Sequence, residues 1–133
     1  MFHTPPEFLE LTPEWKAKLD RFAEEHAGEE LGGVANHVLF EDDKVRIWEM
    51  KLEPGEYTAL HRHECDYYLV IFSGDLVAGV SPPGSGVDSF VGIVPPNGNT
   101  VGIPRGGLEW AWNVGEQTYH EVLVELKATQ AKG

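Results

Sequence analysis

Two histidines separated by one residue are the part of the sequence best suited to chemistry. His61 and His63 flank Arg62 in a segment rich in strand-forming residues. Because successive side chains of a β-strand point to opposite faces, both imidazoles are expected on one face and Arg62 on the other. Two neutral imidazoles on one face can share a divalent metal ion. Taken alone, the pair also fits an ordinary surface position, so the surrounding pattern has to decide.

Two longer gapped patterns enclose this pair. Gly55 to Gly74 reads G-x5-H-x-H-x3-Y-x6-G, and Gly98 to Asn113 reads G-x5-P-x-G-x2-E-x3-N. In spacing they resemble the two signature motifs of the cupin superfamily, G-x5-H-x-H-x3-E-x6-G and G-x5-P-x-G-x2-H-x3-N. The resemblance implies an all-β, double-stranded β-helix, which is the jelly-roll barrel of cupins. The segment VRIWEMKLEPGE followed by HRHECDYYLV also resembles small single-domain cupins associated with β-alanine degradation.

The resemblance assigns roles to four side chains near the barrel mouth. His61 and His63 occupy the first two metal-ligand positions, Glu109 stands where the last histidine is usual, and Tyr67 stands where a glutamate is usual. Two histidines and one carboxylate form the ligand set of non-haem iron(II) oxygenases, and Mn²⁺, Ni²⁺ or Zn²⁺ also suit it. We therefore predict one divalent metal ion (Fe, Mn, Ni or Zn) at His61, His63 and Glu109. A phenol is a poor ligand until it is deprotonated, so Tyr67 is predicted to be a catalytic hydrogen bonder or general acid.

A cation beside the mouth suggests what the cavity accepts. Arg105 lies in the Pro104–Gly107 loop, which in cupins borders the opening, and its guanidinium can fork onto a carboxylate or phosphate. We predict that Arg105 contributes to catalysis on a small, carboxylate-bearing metabolite, by dioxygenase, isomerase or lyase chemistry. A rim salt bridge is the competing interpretation of Arg105. The competing function is a metal-free cupin that binds or senses a small molecule without catalysis.

Other polar residues are weaker candidates. Asp66 would need a local bulge to replace the missing glutamate, and Cys65 shares strand parity with the histidines but is expected in a turn. Tyr57 has the parity of His61, which predicts that it lines the same cavity. His120 could reach the barrel interior and is interpreted as a core histidine. The remaining histidines are interpreted as structural: His3, His26 and His37.

One helix and many short strands must position these residues. A helix is predicted over 13–27, since Thr12 can cap it, Pro13 suits its first position and Gly28 can end it. Short β-rich runs between glycine and proline turns then predict a sandwich or barrel. The predicted strands lie near 34–40, 45–52, 57–63, 67–73, 75–80, 87–93, 100–103, 108–113 and 117–126. We interpret residues 1–33 as an N-terminal extension with the helix and 34–127 as the barrel of a single domain.

Two tryptophans favour burial against another surface. Trp110 and Trp112 have the opposite parity to Glu109, so they are predicted to face away from the cavity. Such an aromatic face needs cover, either from the helix that carries Trp15 or from a second subunit. Because small cupins commonly pair, we predict a homodimer.

Charge and composition exclude several classes of partner. The chain has 133 residues and a net charge of −12, and between Glu53 and Lys127 its only Lys or Arg residues are Arg62 and Arg105. Phosphate backbones and anionic membranes need clustered Lys and Arg, so neither nucleic acid nor membrane is expected as a partner. A single cysteine and an N-terminus without a signal-peptide pattern predict a cytoplasmic protein.

Overall fold

Runs of β-branched and aromatic residues between glycine and proline turns form ten strands in the described part of the chain. The structure is a computed structural model, and it describes residues 3–130. The helical elements are α1 (Pro13–Glu25) and a short 3-10 turn (Lys127–Thr129). The strands are β1 (Glu7–Phe8), β2 (His37–Glu41), β3 (Val45–Leu52), β4 (His61–Arg62), β5 (Tyr67–Ser73), β6 (Leu76–Val80), β7 (Phe90–Ile93), β8 (Asn99–Ile103), β9 (Leu108–Asn113) and β10 (Tyr119–Leu126). Over residues 3–130, neither helical element has the length and apolar character needed to cross a membrane.

The strands form two five-stranded sheets. The order in the first sheet is β1-β7-β6-β9-β4, and the order in the second sheet is β2-β3-β10-β5-β8. Every strand pair in them is antiparallel. The chain passes back and forth between the sheets, which is the jelly-roll arrangement. The predicted all-β, two-sheet barrel with one N-terminal helix is confirmed.

The helix covers the outer face of the first sheet. Thr12 Oγ1 accepts a hydrogen bond from Trp15 N at 3.2 Å, and the helix ends at Glu25, two residues before the predicted end. Phe22 stacks on Trp112 at 4.4 Å and meets Trp110 edge-on at 5.7 Å, between ring centroids. Trp110 is 0% exposed. The chain's own helix therefore supplies the cover that these tryptophans need. The homodimer stays a prediction, but this face gives it no support.

The strand predicted over 57–63 is regular only at His61–Arg62, and this changes the position of Tyr57. His61 lies opposite Glu109, and Tyr57 lies opposite Trp112. The first strand thus uses one more residue than its partner between these two pairs. An extra residue reverses the face that later side chains occupy. Tyr57 lies on the outer face, 5.1 Å from the Phe22 ring, and the prediction that it lines the cavity is wrong.

The face of strand β10 that points into the barrel is the less apolar of its two faces. Tyr119, Glu121, Leu123 and Glu125 are buried, whereas His120 and the valines between them are only half-buried. His120 Nε2 lies 3.0 Å from Glu49 Oε2 on the outer face of the second sheet. The interpretation of His120 as a core histidine is wrong, because the barrel interior takes the opposite parity.

Candidate metal centre and ligand cavity

The two sheets enclose one cavity of about 540 Å³ that contains most of the predicted site. Most of its wall is aliphatic and comes from both sheets, with Val77 and Leu108 on the first and Met50, Ile71 and Leu123 on the second. Its most buried ionisable or phenolic side chains fall into two groups: His61, His63, Tyr67 and Glu109, and then Tyr119 and Glu121. The cavity is therefore an apolar chamber with two polar places.

The predicted ligands meet at one of these places. His61, His63 and Glu109 each offer a ligand atom, and these three atoms lie within 4.8 Å of one another. The antiparallel pairing of β4 with β9 puts His61 directly opposite Glu109. Gly79 on the neighbouring strand makes room for the carboxylate, since a Cβ there would come within 2.5 Å of Glu109 Oε2. Two adjacent strands and one glycine thus bring the three side chains together.

His61 is held in the tautomer that a metal site requires. Its Nδ1 lies 2.9 Å from the Ala59 carbonyl oxygen, which can only accept, so Nδ1 carries the proton. The Nε2 lone pair is then free to bind a metal, and a hydrogen bond from the other ring nitrogen is the usual support for such a ligand. Burial lowers the pKa of His61, and neighbouring His63 lowers it further. Both effects favour the neutral imidazole that binds metal.

His63 stacks against Tyr67 and has unused binding capacity. Its ring lies parallel to the Tyr67 phenol, with centroids 4.0 Å apart and planes inclined by 13°. His63 Nε2 lies 3.4 Å from Glu109 Oε1, and Nδ1 is buried without a hydrogen-bond partner among residues 3–130. A buried ring nitrogen without a hydrogen-bond partner costs free energy unless a group outside the described residues binds to it.

These residues fit a divalent transition metal. Two ligand atoms each about 2.1 Å from an ion, at a tetrahedral angle, lie roughly 3.4 Å apart. The distance between His63 Nε2 and Glu109 Oε1 is 3.4 Å. The free Nε2 lone pair of His61 favours the metal. The three ligands leave positions free for a further molecule.

Tyr67 lines the cavity as a neutral phenol. It is buried at the start of β5, and burial raises its pKa well above the ordinary value, with Glu109 and Glu121 adding to the rise. A phenol that keeps its proton is a poor metal ligand and a competent hydrogen-bond donor. This agrees with the predicted role of Tyr67 beside a bound molecule.

Arg105 is the predicted site residue that the structure does not bring into the cavity. Its Nη1 donates to the Thr129 carbonyl oxygen at 2.5 Å, and its backbone N donates to Asp66 Oδ1 at 2.9 Å. The cavity wall includes Pro104 and Gly107 from the same loop, but not Arg105. The guanidinium lies against the C-terminal segment because a carbonyl oxygen is within its reach there.

The two alternative ligands also lie elsewhere. Asp66 is occupied by the backbone of Arg105 and by Thr129, whose Oγ1 accepts from Asp66 N at 2.8 Å. Cys65 is buried at the bend before β5 and is not part of the three-residue cluster. Neither residue replaces the usual glutamate.

The second polar place was not predicted from the sequence. Tyr119 donates a hydrogen bond to Glu121 Oε1 at 2.7 Å, and both side chains are buried in the cavity wall. Burial raises the pKa of Glu121 to about 7. The alternation in YHEVLVEL does put Tyr119 and Glu121 on one face, but the more apolar opposite face is the conventional choice for the core.

Comparison with known proteins identifies the family. Residues 21–132 match the sequence model of a family described as auxin binding protein. The chain belongs to the auxin-binding protein family. Among curated relatives of this family member, auxin-binding proteins T85 and T92 of Nicotiana tabacum are each 28% identical to it, over 74% and 68% of the chain. Those stretches cover 54% and 49% of the two relatives, so the chain spans about half the length of the curated relatives it matches.

Solved structures agree on the fold of this auxin-binding protein family member. A cupin domain from Bordetella pertussis Tohama I is 24% identical, with a TM-score of 0.60 over 75% of this chain and 99% of the other. A double-stranded β-helix protein from Klebsiella pneumoniae is 18% identical, with a TM-score of 0.55 over 82% of this chain and 90% of the other. At these identities the likeness establishes the fold alone, which is the double-stranded β-helix that the resemblance to cupins predicted.

Proposed function

We propose that this chain holds one divalent transition-metal ion at His61, His63 and Glu109 and uses it to bind a small organic acid in the barrel. The observation that carries the proposal is the position of three converging metal-ligand side chains on the wall of an otherwise apolar cavity. Fe, Mn, Ni and Zn all suit two imidazoles and one carboxylate. When bound, such an ion supplies a Lewis acid that can hold the carboxylate of a ligand.

Charge and shape favour an acid with an apolar body. A divalent ion with one carboxylate ligand carries a local charge of about +1, which attracts an anion into a chain whose net charge is −12. The cavity of about 540 Å³ lies in the usual size range for small-molecule sites, and its aliphatic wall suits hydrocarbon or ring carbon. Two curated relatives named as auxin-binding proteins support the same ligand class.

Metal content and metal-dependent binding test this proposal together. Protein purified without a polyhistidine tag should contain close to one metal ion per chain by elemental analysis. Calorimetry should then show binding of small acids such as phenylacetate or indole-3-acetate, lost after chelation and regained on adding metal. The corresponding amides, which lack the carboxylate, should bind at least tenfold more weakly. Metal-free protein that binds the acids equally well would favour the metal-free sensing cupin.

The variants Glu109→Gln and Asp66→Asn form a matched pair for the ligand assignment. Both remove one carboxylate near the barrel mouth, but only Glu109 belongs to the three-residue cluster. Glu109→Gln should lower the affinity for the metal by tenfold or more, because an amide is a poorer ligand than a carboxylate. Asp66→Asn should leave metal content unchanged. Equal metal content in both variants would contradict the proposed ligand set.

Catalysis is the second candidate, and Tyr67 is the observation that favours it. A neutral phenol beside His63 can give a hydrogen bond or a proton to a molecule held at the metal centre. Two histidines and one carboxylate with free positions also suit oxygenase, isomerase or lyase chemistry. Incubating iron-loaded protein with the acids that bind, and following oxygen uptake and product masses, tests this. Unchanged acids and oxygen would leave binding as the function.

We also propose a homodimer, with the outer face of the second sheet as its interface. Cross-strand pairing puts an apolar row there, made of Phe40, Ile47, Val124 and Tyr68. Phe40, Tyr68 and the neighbouring Phe72 are exposed. The carboxylate of Glu49 on this face is held by contacts with His120 at 3.0 Å and with His37 at 3.2 Å, beside the apolar row that a second copy would cover. In sedimentation, Tyr68→Glu should yield monomer, whereas Leu31→Glu, at an exposed position outside this row, should not.

A further inference from the structure

One carboxyl group lies in the middle of the apolar wall, away from the metal-ligand residues. Glu121 is 3% exposed and belongs to β10, the central strand of the second sheet. Its neighbours across the strands are Met50 on one side and Ile71 on the other, and both line the cavity. His61 and Glu109 belong to the first sheet, so Glu121 faces the cavity from the opposite wall.

The carboxyl of Glu121 is only half satisfied. Its Oε1 accepts the hydroxyl of Tyr119 at 2.7 Å, but its Oε2 is buried without any hydrogen-bond partner among residues 3–130. Leaving a buried polar atom without a partner is costly, and more so for a group that can ionise. Glu121 Oε2 therefore has room for one donor that the described residues do not supply.

Glu125 shows how the same strand satisfies a carboxyl that has a structural role. It lies on the same face two residues farther along and is buried to a similar degree. Its Oε1 accepts Trp48 Nε1 at 2.5 Å and lies 3.8 Å from Arg46 Nη1. Glu125 does not line the cavity, whereas Glu121 does. The unpartnered oxygen is the one that a bound molecule can reach.

We propose that Glu121 and Tyr119 form a second polar subsite, at which Glu121 Oε2 accepts a hydrogen bond from a hydroxyl or N–H group of the ligand. The inference rests on the proposed function, in which the ligand's carboxylate lies at the metal centre on the opposite wall. The ligand is then an acid with two polar ends and an apolar middle. Hydroxylated or nitrogen-containing ring acids belong to this class, and plain hydrocarbon acids do not.

The subsite predicts a preference that a structural carboxyl would not produce. Two pairs of acids differ in one donor and change size in opposite directions: 4-hydroxyphenylacetate carries a hydroxyl that phenylacetate lacks, and indole-3-acetate carries an N–H that a methyl group replaces in 1-methylindole-3-acetate. At about pH 8, where the Glu121 carboxyl is ionised and can only accept, metal-loaded wild-type protein should bind the donor-bearing member of at least one pair about tenfold more tightly or better, as expected for a hydrogen bond to a charged acceptor. Glu121→Leu should remove the preference, and Glu125→Gln should keep it.

The stability of the unliganded protein separates the subsite from a structural role. Replacing both partners of a buried hydrogen bond by apolar groups is often neutral or stabilising, whereas removing one partner leaves the other unpaired. Glu121→Leu combined with Tyr119→Phe, which removes both the carboxyl and the hydroxyl that donates to it, should thus unfold at the same or a higher denaturant concentration than wild type. If Glu121→Leu does not fold, Glu121→Met, which keeps the length of the side chain, takes its place in the binding experiment.

The outcomes distinguish this inference from the function on which it rests. If all four acids bind only with metal present and each pair binds equally, the subsite is wrong and the proposed function stands. If the preference survives in Glu121→Leu or Glu121→Met, the subsite is also wrong. If none of the four acids binds in a metal-dependent way, the proposed function fails and the subsite with it.

Discussion

The imidazole of His63 stacks on the phenol of Tyr67, with ring centroids 4.0 Å apart and planes inclined by only 13°. Tyr67 is fixed at the first position of β5, opposite Ile103 on one side and Glu125 on the other. The side chain at the usual glutamate position therefore supports the imidazole of His63 with its ring face. Burial raises the pKa of the Tyr67 phenol, and a phenol that keeps its proton is a poor metal ligand, so the ring face is the part of Tyr67 that we expect to matter for His63.

Two Tyr67 variants separate stacking from coordination. Tyr67→Phe keeps the ring and removes the hydroxyl, so metal affinity should change less than about threefold. Tyr67→Leu removes the ring that orients His63. Metal affinity should then fall by roughly 10- to 100-fold, the usual effect of losing a group that supports a ligand. Titration with a competing chelator measures both. A large loss in Tyr67→Phe would show instead that the phenol oxygen binds the metal.

The raised pKa of Glu121 predicts a pH-dependent stability. Its carboxyl titrates near 4.5 when unfolded and near 7 when folded, because burial and the charge of Glu109 outweigh the hydrogen bond from Tyr119. Between these pH values the folded chain keeps a proton that the unfolded chain has lost. The free energy of unfolding should therefore fall as pH rises from about 4.5 to 7, by roughly 3 kcal/mol. Below this window Glu121 is protonated in both states and adds no pH dependence to the unfolding free energy. Above it the full contribution of Glu121 to stability has been lost.

The variant Glu121→Gln isolates this contribution. It cannot titrate, so its stability relative to wild type should rise by about 3 kcal/mol across the same window. Urea unfolding of chelator-treated protein at pH 4.5, 5.5, 6.5 and 7.5 measures the difference, in which other titrating groups cancel. If the difference in unfolding free energy between Glu121→Gln and wild type stays constant with pH, the pKa of Glu121 is not raised in the folded state.

The fold was predictable because its signals are long-range and redundant. Glycine and proline turns divided the sequence into strands, and two gapped motifs fixed the order of the barrel residues. What was missed depends on single residues. One extra residue between Tyr57 and His61 turned Tyr57 to the outer face, and such a bulge leaves no mark in the composition. Strand β1, only two residues long, offers no periodicity to detect.

The convergence of His61, His63 and Glu109 could be predicted from the sequence, and the buried Tyr119–Glu121 pair could not. His61, His63 and Glu109 came from motif positions, which adjacent antiparallel strands bring together. Glu121 was missed because strand alternation gives two faces without saying which is inside. The more apolar face of β10 is the outer one, so the usual rule chose the wrong side. The rule that the more apolar face of a strand points inward can fail where the interior holds a functional cavity or where the outer face is itself apolar.

Arg105 gives a prediction that differs from the one made from its position in the loop. Its guanidinium is hydrogen-bonded to the Thr129 carbonyl oxygen outside the cavity. Arg105→Ala should change the affinity for small acids less than about twofold and stability by no more than about 0.5 kcal/mol, as for other exposed substitutions. Calorimetry on metal-loaded protein measures the first quantity. A tenfold loss of affinity at unchanged metal content would mean that the side chain moves to the cavity when a ligand binds.

The helix provides the last prediction, because it covers the face that suggested a dimer. Phe22 is buried between the helix and the first sheet, where its ring contacts Trp110, Trp112 and Tyr57. Phe22→Ala should lower the free energy of unfolding by about 3–5 kcal/mol, since it leaves a cavity among aromatic rings. Glu25→Ala, at an exposed position of the same helix, should have an effect below about 0.5 kcal/mol.

The concentration dependence of the same two variants shows whether this face also holds a second copy. If the helix alone covers Trp110 and Trp112, the loss in Phe22→Ala should be the same at low and high protein concentration. Sedimentation of Phe22→Ala should then give the same association state as wild type, because the proposed interface lies on the other sheet. A loss that shrinks as concentration rises, together with weaker association, would instead place the partner on the tryptophan face. Association involves a second molecule and packing of the chain's own helix does not, so only the former depends on concentration.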